Sequence, residues 1–380
     1  MRSSFFADPT APPPVDADYY RSRPLGFDPD VVETELTDLI ADIDRRLTRG
    51  HPETELLRRT CDAYLVTVAM LASRGMPAFG PCAAALYGLP SDRFHDGGPT
   101  VSDFADRLRA GLGWVEGTLL VDDDEDGIDA GEAVVQLQQR LDESMGPALV
   151  TVVSDDGIVA DAAAGATTIK LRSDASFSTY QLDQLEAHEG WVHVGTTLNG
   201  LAQPWCTFLG RAAPPTTVTQ EGLATLTELV GMRSHPDRLQ RIVDRIDGIA
   251  LAGDGATFPE VAEHFRTQGR TMAETWALTA RIFRGSVPHG PPFTKDLAYG
   301  KGLVQTYGYV RIAVQQGRPE RLPMLFAGKL DLADVGLVNQ LIDEELVSVP
   351  SHVPRRSAIR EHSWLPWCSA VSCASSTSIR

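Results

Sequence analysis

The residues of this chain best suited to chemistry are two histidines and a glutamate in one short run, His188-Glu189-Gly190-Trp191-Val192-His193. Imidazole nitrogens bind zinc, and a carboxylate beside a ligand can act as base toward a water held there. In the common zinc-peptidase motif HExxH the histidines stand four apart, about 40° from each other around a helix that advances about 100° per residue. Here the spacing is five, which on an ideal helix sets them about 140° apart, too divergent for one ion. A π-type widening, which adds one residue to a turn, would return both rings to one face. Gly190, without a side chain, would ease that distortion. The spacing therefore predicts a local π-turn within His188 to His193.

A hydrolytic zinc site needs three protein ligands and an open position. In one large class of zinc peptidases the third ligand is a glutamate on a later helix. Gln220-Glu221-Gly222-Leu223-Ala224 offers one, on a helix expected to open at about Thr219, after Pro214-Pro215. In that helix's first turn the Glu221 carboxylate would project from its end. By itself it would be an ordinary N-terminal glutamate, favoured by the helix dipole.

These groups need elements to hold them. Apolar residues recur at helical spacing from Pro29 to about Leu112, first at Val31, Leu36, Leu39, Ile40, Ile43 and Leu47, then from Thr54 to Ala72. This predicts a helical layer without chemistry of its own. Ala148 to Val153 and Thr167 to Arg172 read as short strands, a small sheet before a long helix from near Ser178 to about Gly200 that carries the histidines. The expected organisation is an arm over 1–28, a mainly helical region over 29–147, a catalytic region over 148–354 and a divergent tail over 355–380. The acidic run Asp122 to Gly127 fails as a calcium loop, because the twelfth position is Ala133 and Glu132 falls one short. It reads as a solvated loop, with Asp129 and Glu132 as a capping box for the next helix.

Composition narrows the class. A formal charge of -17 over 380 residues argues against a phosphate-binding surface for nucleic acid or anionic membrane. No apolar run is long enough to span a bilayer. The five scattered cysteines, Cys61, Cys82, Cys206, Cys368 and Cys373, read as reduced thiols, and the cytoplasm is the expected compartment. His235, His264 and His289 have no metal-spaced partner and read as structural, and Cys206 reads as a buried thiol.

The chain resembles the flavohemoglobin expression-modulating QEGLA-motif proteins, whose animal relatives include the microtubule-associated tyrosine carboxypeptidases. The resemblance rests on Ile169 to Arg172, Phe177-Ser178, His188-Glu189 with His193, Gln220 to Ala224, Arg281 to Gly285, Thr294 to Tyr299 and Ala327 to Leu330. It covers most of Pro29 to Pro354. It implies an α+β, mostly helical fold related to the Glu-ligand zinc peptidases (zincin-like), one zinc per chain on His188, His193 and Glu221, and Glu189 as general base. Family members usually read HEIGTH, so Gly190, Trp191 and Val192 depart from the pattern and would reshape the pocket wall. The tail after Pro354 does not resemble a family ending.

Within the resembling segments, Tyr299 is the candidate donor to a developing oxyanion, with Tyr307 second. Lys170, Arg172, Arg281, Arg284 and Lys295 are candidates to bind a substrate α-carboxylate, and the strand with Lys170 and Arg172 offers an edge for substrate backbone. The reading is a zinc carboxypeptidase that releases a C-terminal, possibly aromatic, residue from a peptide or protein. An aminopeptidase or endopeptidase on the same zinc site is the alternative. A regulatory protein with structural zinc is another, although a structural site needs no base such as Glu189. Ala/Arg/Asp/Gly-rich usage is that of a bacterial chain from a GC-rich genome, which argues against tubulin as substrate.

Overall fold

Asp28-Pro29 writes a helix start in two residues. The Asp28 carboxylate accepts from the Asp30 amide at 3.0 Å, while Pro29 stands in the first turn, where its missing N–H is no loss. The computed structural model describes residues 17–115, 127–158 and 160–354. The acidic run at 122–126 and the tail with Cys368 and Cys373 lie outside the described residues.

In chain order the first half gives α1 (Ala17–Arg21), α2 (Pro29–Arg46), α3 (Pro52–Ala72), α4 (Phe79–Tyr87), α5 (Val101–Val115), β1 (Ile128–Asp129) and α6 (Ala130–Met145). Strands β2 (Thr151–Asp155), β3 (Ala162–Ala164), β4 (Thr168–Arg172) and β5 (Ser176–Phe177) lead into α7 (Thr179–Leu185), a π-helix over Glu186–Val194, and α8 (Gly195–Leu201). Then come α9 (Thr216–Val230), α10 (Pro236–Gly253), α11 (Phe258–Thr267), α12 (Met272–Ile282), α13 (Leu297–Gln315) and α14 (Val335–Asp343). Helix dominates and the sheets are small, so the expected α+β class holds.

The chain divides into two units interleaved in sequence. Unit 1 comprises Met1–Leu112, Ala213–Val218 and Asp237–Gly302. In it α10 turns Leu239, Ile242, Val243, Ile246 and Ile249 inward at spacings of three and four, a helix burying one face. The backbone of α10 comes close to its neighbours at Gly248, where a Cβ would lie 2.4 Å from Ile282 Cδ1. Helix α2 packs on α3 as a helical layer should, yet only Ile43 of α2 is buried, while Val31 and Leu39 stay about half exposed. Periodicity foretold the helix but not how much of its stripe would be covered. Gly285 turns at φ +86°, and its amide donates to the Tyr20 hydroxyl at 2.8 Å.

Unit 2 comprises Gly113–Ala212, Thr219–Pro236 and Leu303–Arg380. Helix α6 buries Ala130, Ala133, Leu137, Leu141 and Met145 along one side. Asp129 caps it by accepting from the amides of Gly131 and Glu132. The reciprocal half of the expected capping box is absent, because the Glu132 carboxylate accepts from Gln136 instead. The apolar side of α6 meets Val152 of β2, Ile169 and Leu171 of β4, Phe177, Leu182 and Trp191 in one core cluster. Strand β4 is central in the order β2-β4-β3, parallel to β2 and antiparallel to β3. Both its edges are taken, which corrects the expectation that it could pair with substrate backbone.

Candidate metal centre

The motif helix begins with a closed capping box. Ser178 accepts from the Gln181 amide at 3.1 Å, and the Gln181 side chain accepts from the Ser178 amide at 2.8 Å. After two α-turns the helix widens, and Glu186–Val194 is π-helical. In i to i+5 bonding, residues five apart stand one turn above each other. His188 and His193 therefore share a face, their ring centroids 4.8 Å apart and their planes at 77°. The expected local π-turn is present and extends further, over nine residues.

Gly190, Trp191 and Val192 turn toward the core. A Cβ on Gly190 would stand 2.5 Å from Leu141 Cδ2, so a side chain there would force the buried Leu141 of α6 to shift. Trp191 joins the core cluster and Val192 is fully buried. The departure from HEIGTH is thus absorbed by the core of unit 2, not by a pocket wall as expected.

Glu221 reaches the same place from α9. That helix opens at Thr216, three residues before the expected start, so Glu221 lies in its second turn and projects from its side rather than its end. Glu221 Oε2 stands 3.3 Å from His188 Nε2 and 3.7 Å from His193 Nε2. Glu189 Oε1 is 3.9 Å from His188 Nε2. His188, Glu189 and His193 can also bring one ligand atom each within 4.8 Å of one another. Glu221 is the better third donor, because one of its oxygens approaches the outward nitrogens of both histidines.

The inward nitrogens are tied down. His188 Nδ1 lies 2.5 Å from Glu228 Oε1, and Glu228 is itself wholly buried. His193 Nδ1 lies 3.5 Å from Gln220 Oε1, which also accepts from Thr196 Oγ1 and Lys329 Nζ, each at 2.9 Å. Lys329 Nζ donates to the His193 carbonyl as well, at 2.7 Å, where the π-helix returns to α. Partners of this kind fix the tautomer and orientation of a metal-binding imidazole.

Charge points the same way. Burial would push the His188 proton off, yet the carboxylates of Glu221, Glu228 and Glu189 hold it, up to about 10. Burial would likewise raise Glu221, and the two imidazoles hold it well below the carboxylate range. Burial lowers the Lys329 ammonium to about 8, against the pull of Glu221 and Glu189. Three carboxylates about one imidazole favour a cation. Among the described residues Glu221 Oε2 is buried with no hydrogen-bond donor. Such an orphaned oxygen, aimed at two outward Nε2 atoms, fits a divalent metal.

Of the residues expected from sequence, His188, Glu189, His193 and Glu221 come together. Lys170 pairs with Asp155 at 2.6 Å, and Arg172 with Asp161 and Asp174 at 2.9 and 2.7 Å. Tyr307 is half-buried in unit 2. Arg281, Arg284, Lys295 and Tyr299 belong to unit 1. There Arg281 grips both oxygens of Asp296, Arg284 lies 5.4 Å from the Phe293 ring centroid, and Tyr299 stacks under Arg245 at 4.3 Å. Cys206 is buried, as expected, and among the described residues Cys61, Cys82 and Cys206 form no disulfide.

Sequence reasoning missed Glu228, the role of Gln220 and Lys329. Glu228 follows Glu221 by seven residues, two turns on one helix face, a signal that was available. Nothing in sequence spacing brings Lys329 to His193.

A buried and a part-buried imidazole, a carboxylate on a second helix and an adjacent base form a donor set suited to hydrolytic metal chemistry. The family model for the microtubule-associated tyrosine carboxypeptidase matches residues 3–372, and the chain belongs to that family. The family implies a peptidase of the carboxypeptidase kind. None of the curated proteins matches the chain. Among the described residues no helix is long and apolar enough to cross a membrane.

Proposed function

We propose that this chain is a zinc-dependent carboxypeptidase with one zinc per chain, held by His188, His193 and Glu221. One observation carries the reading, the approach of Glu221 Oε2 to the Nε2 atoms of both histidines at 3.3 and 3.7 Å. Bound zinc would supply acidity to a water and polarise the carbonyl of the scissile bond. Glu189, one residue from a ligand and 12% exposed at its side chain, takes the proton of the attacking water and returns it to the leaving amine. Glu228 and Gln220 keep the two imidazoles turned outward, and Lys329 holds Gln220 and the end of the π-helix in place. Tyr299 remains the proposed oxyanion donor. Lys170, Arg172, Arg281, Arg284 and Lys295 remain the proposed carboxylate binders. The family's name supports an aromatic C-terminal residue as the one released, from a peptide or protein. Gln220 to Ala224 keeps the QEGLA sequence, and thiols not joined in disulfides at Cys61, Cys82 and Cys206 suit a reducing compartment such as the cytoplasm.

The test is metal analysis of the purified chain together with mass spectrometry of peptides before and after incubation. One zinc per chain and shortening of free-acid but not C-terminally amidated peptides is expected. A chain that stays metal-free after zinc reconstitution would end the metal reading. Cleavage blocked by N-terminal acetylation but indifferent to amidation would make it an aminopeptidase.

A further inference from the structure

A widened helix has to be closed where it ends. Where i to i+5 bonding gives way to i to i+4, the ladder shifts by one residue and carbonyls at the junction need side-chain donors. Three side chains supply them here. Thr196 Oγ1 donates to the Val192 carbonyl at 2.6 Å, and Thr197 Oγ1 to the His193 carbonyl at 2.8 Å. Both belong to the helix they close. The third donor, Lys329 Nζ, comes from 136 residues further on and reaches the His193 carbonyl at 2.7 Å. The same ammonium donates to Gln220 Oε1 at 2.9 Å, and that oxygen faces His193 Nδ1 at 3.5 Å. Lys329 therefore holds His193 twice, through its backbone and through the amide that meets its ring. The segment that carries Lys329 is itself moored within unit 2. The Lys329 amide donates to the Leu209 carbonyl at 2.7 Å, Asn199 Nδ2 to the Phe326 carbonyl at 2.8 Å, and the Leu332 amide to Thr219 Oγ1 at 2.8 Å. A Cβ on Gly328 would lie 2.8 Å from the Leu209 carbonyl oxygen, so the two backbones touch there. A lysine on so fixed a base can set the helix it touches.

We infer that Lys329 is a positioning residue that holds His193 beside His188 before any metal binds, so that two histidines five apart form a preset pair. In α geometry the rings would stand about 140° apart. Stretches of π-helix are rare and persist where the surrounding structure holds them. Here the rings are 4.8 Å apart at their centroids, and the brace on His193 comes from a distant, anchored segment. Lysine suits the task, because an ammonium has three donors and can serve a carbonyl and an amide oxygen together. An alkyl side chain of similar length would fill the space. It would leave the His193 carbonyl one donor short and release Gln220 from one of its ties. The use of this preset pair rests on the metal reading of the site, whereas its geometry belongs to the metal-free chain as well.

The experiment is hydrogen exchange, read by mass spectrometry, on the full-length chelator-treated chain as wild type, Lys329→Met and Lys329→Arg. Lys329→Met should speed exchange about tenfold or more across Glu186 to Gly200 and leave α6 unchanged. Lys329→Arg keeps donors at that place and should fall between. Loading with cobalt(II) reads the ligand geometry directly. Its visible absorption band should move in Lys329→Met and return toward wild type in Lys329→Arg, and zinc affinity should fall about 10- to 100-fold in Lys329→Met. Unchanged exchange over Glu186 to Gly200, loosening spread evenly through α6 as well, or an unmoved cobalt band would each overturn the proposal. Should Lys329→Met fail to fold, a crystal structure of the metal-free wild type decides. Bonding of the π type kept over His188 to His193, with Lys329 Nζ on the His193 carbonyl, supports the inference, and regular α bonding there overturns it. A wild-type chain that takes up no metal would end the zinc reading alone, and the exchange result would still decide this one.

Discussion

The carboxylate of Glu228 stands 2.5 Å from His188 Nδ1, fully buried two turns beyond Glu221 on the same helix. One helix thus supplies a proposed ligand and the group that orients another.

Glu228→Gln should keep the shape of the site while weakening its hold on the imidazole. Zinc affinity is expected to fall about 10- to 100-fold, the usual cost of losing such a partner. Competition against a chromophoric chelator measures it, and an unchanged affinity would reduce Glu228 to a packing role.

Glu189→Gln preserves size but cannot take a proton. Zinc content should stay at the wild-type level while turnover falls about 10²- to 10⁴-fold. Near wild-type hydrolysis would remove Glu189 from the mechanism.

Gly200 closes the motif helix against the loop that follows it. A Cβ there would lie 2.3 Å from Gly210 N and from Leu209 C and O, and backbone cannot rotate away as a side chain can. Gly200→Ala should cost about 1–3 kcal/mol or more and lower the melting temperature by several degrees. Gly253→Ala is the control, because nothing lies within 4 Å of its Cβ. It should be neutral or slightly stabilising, and equal melting temperatures for the two variants would refute the packing argument.

Asp296 should make unit 1 sensitive to acid. Burial would raise its pKa, but Arg245, Arg281 and Arg284 hold it at about 2, from an ordinary 3.8. A depressed carboxylate contributes stability that is present above its unfolded value and lost as pH falls through the folded one. The contribution, roughly 2 kcal/mol from the shift, should fade between about pH 4 and 2. Denaturant titrations of wild type and Asp296→Asn should therefore differ most at neutral pH and converge toward pH 2. A constant difference across that window would contradict the assignment.

Much of the centre was legible in the sequence because local spacing is a local fact. A spacing of five between two histidines cannot serve one ion on an α-helix, so a widening within His188 to His193 followed from counting, although its extent over Glu186–Val194 did not. The Ser178 start of the motif helix was equally readable, since capping is settled by residues three apart. The helix carrying Glu221 was misjudged by three residues, because Pro214-Pro215 marks a boundary without fixing which residue begins the first turn.

Long-range geometry had to come from the tertiary structure. Val31 and Leu39 have the right period yet stay exposed, as period says which face is apolar and not what covers it. Strand β4 gained neighbours on both edges, which no residue within it announces. Lys329 reaches Gln220 and the His193 carbonyl from more than a hundred residues away. The sequence by itself determined which atoms could bind a metal. Folding alone decided which polar groups found partners, because that depends on the packing of segments far apart in the chain.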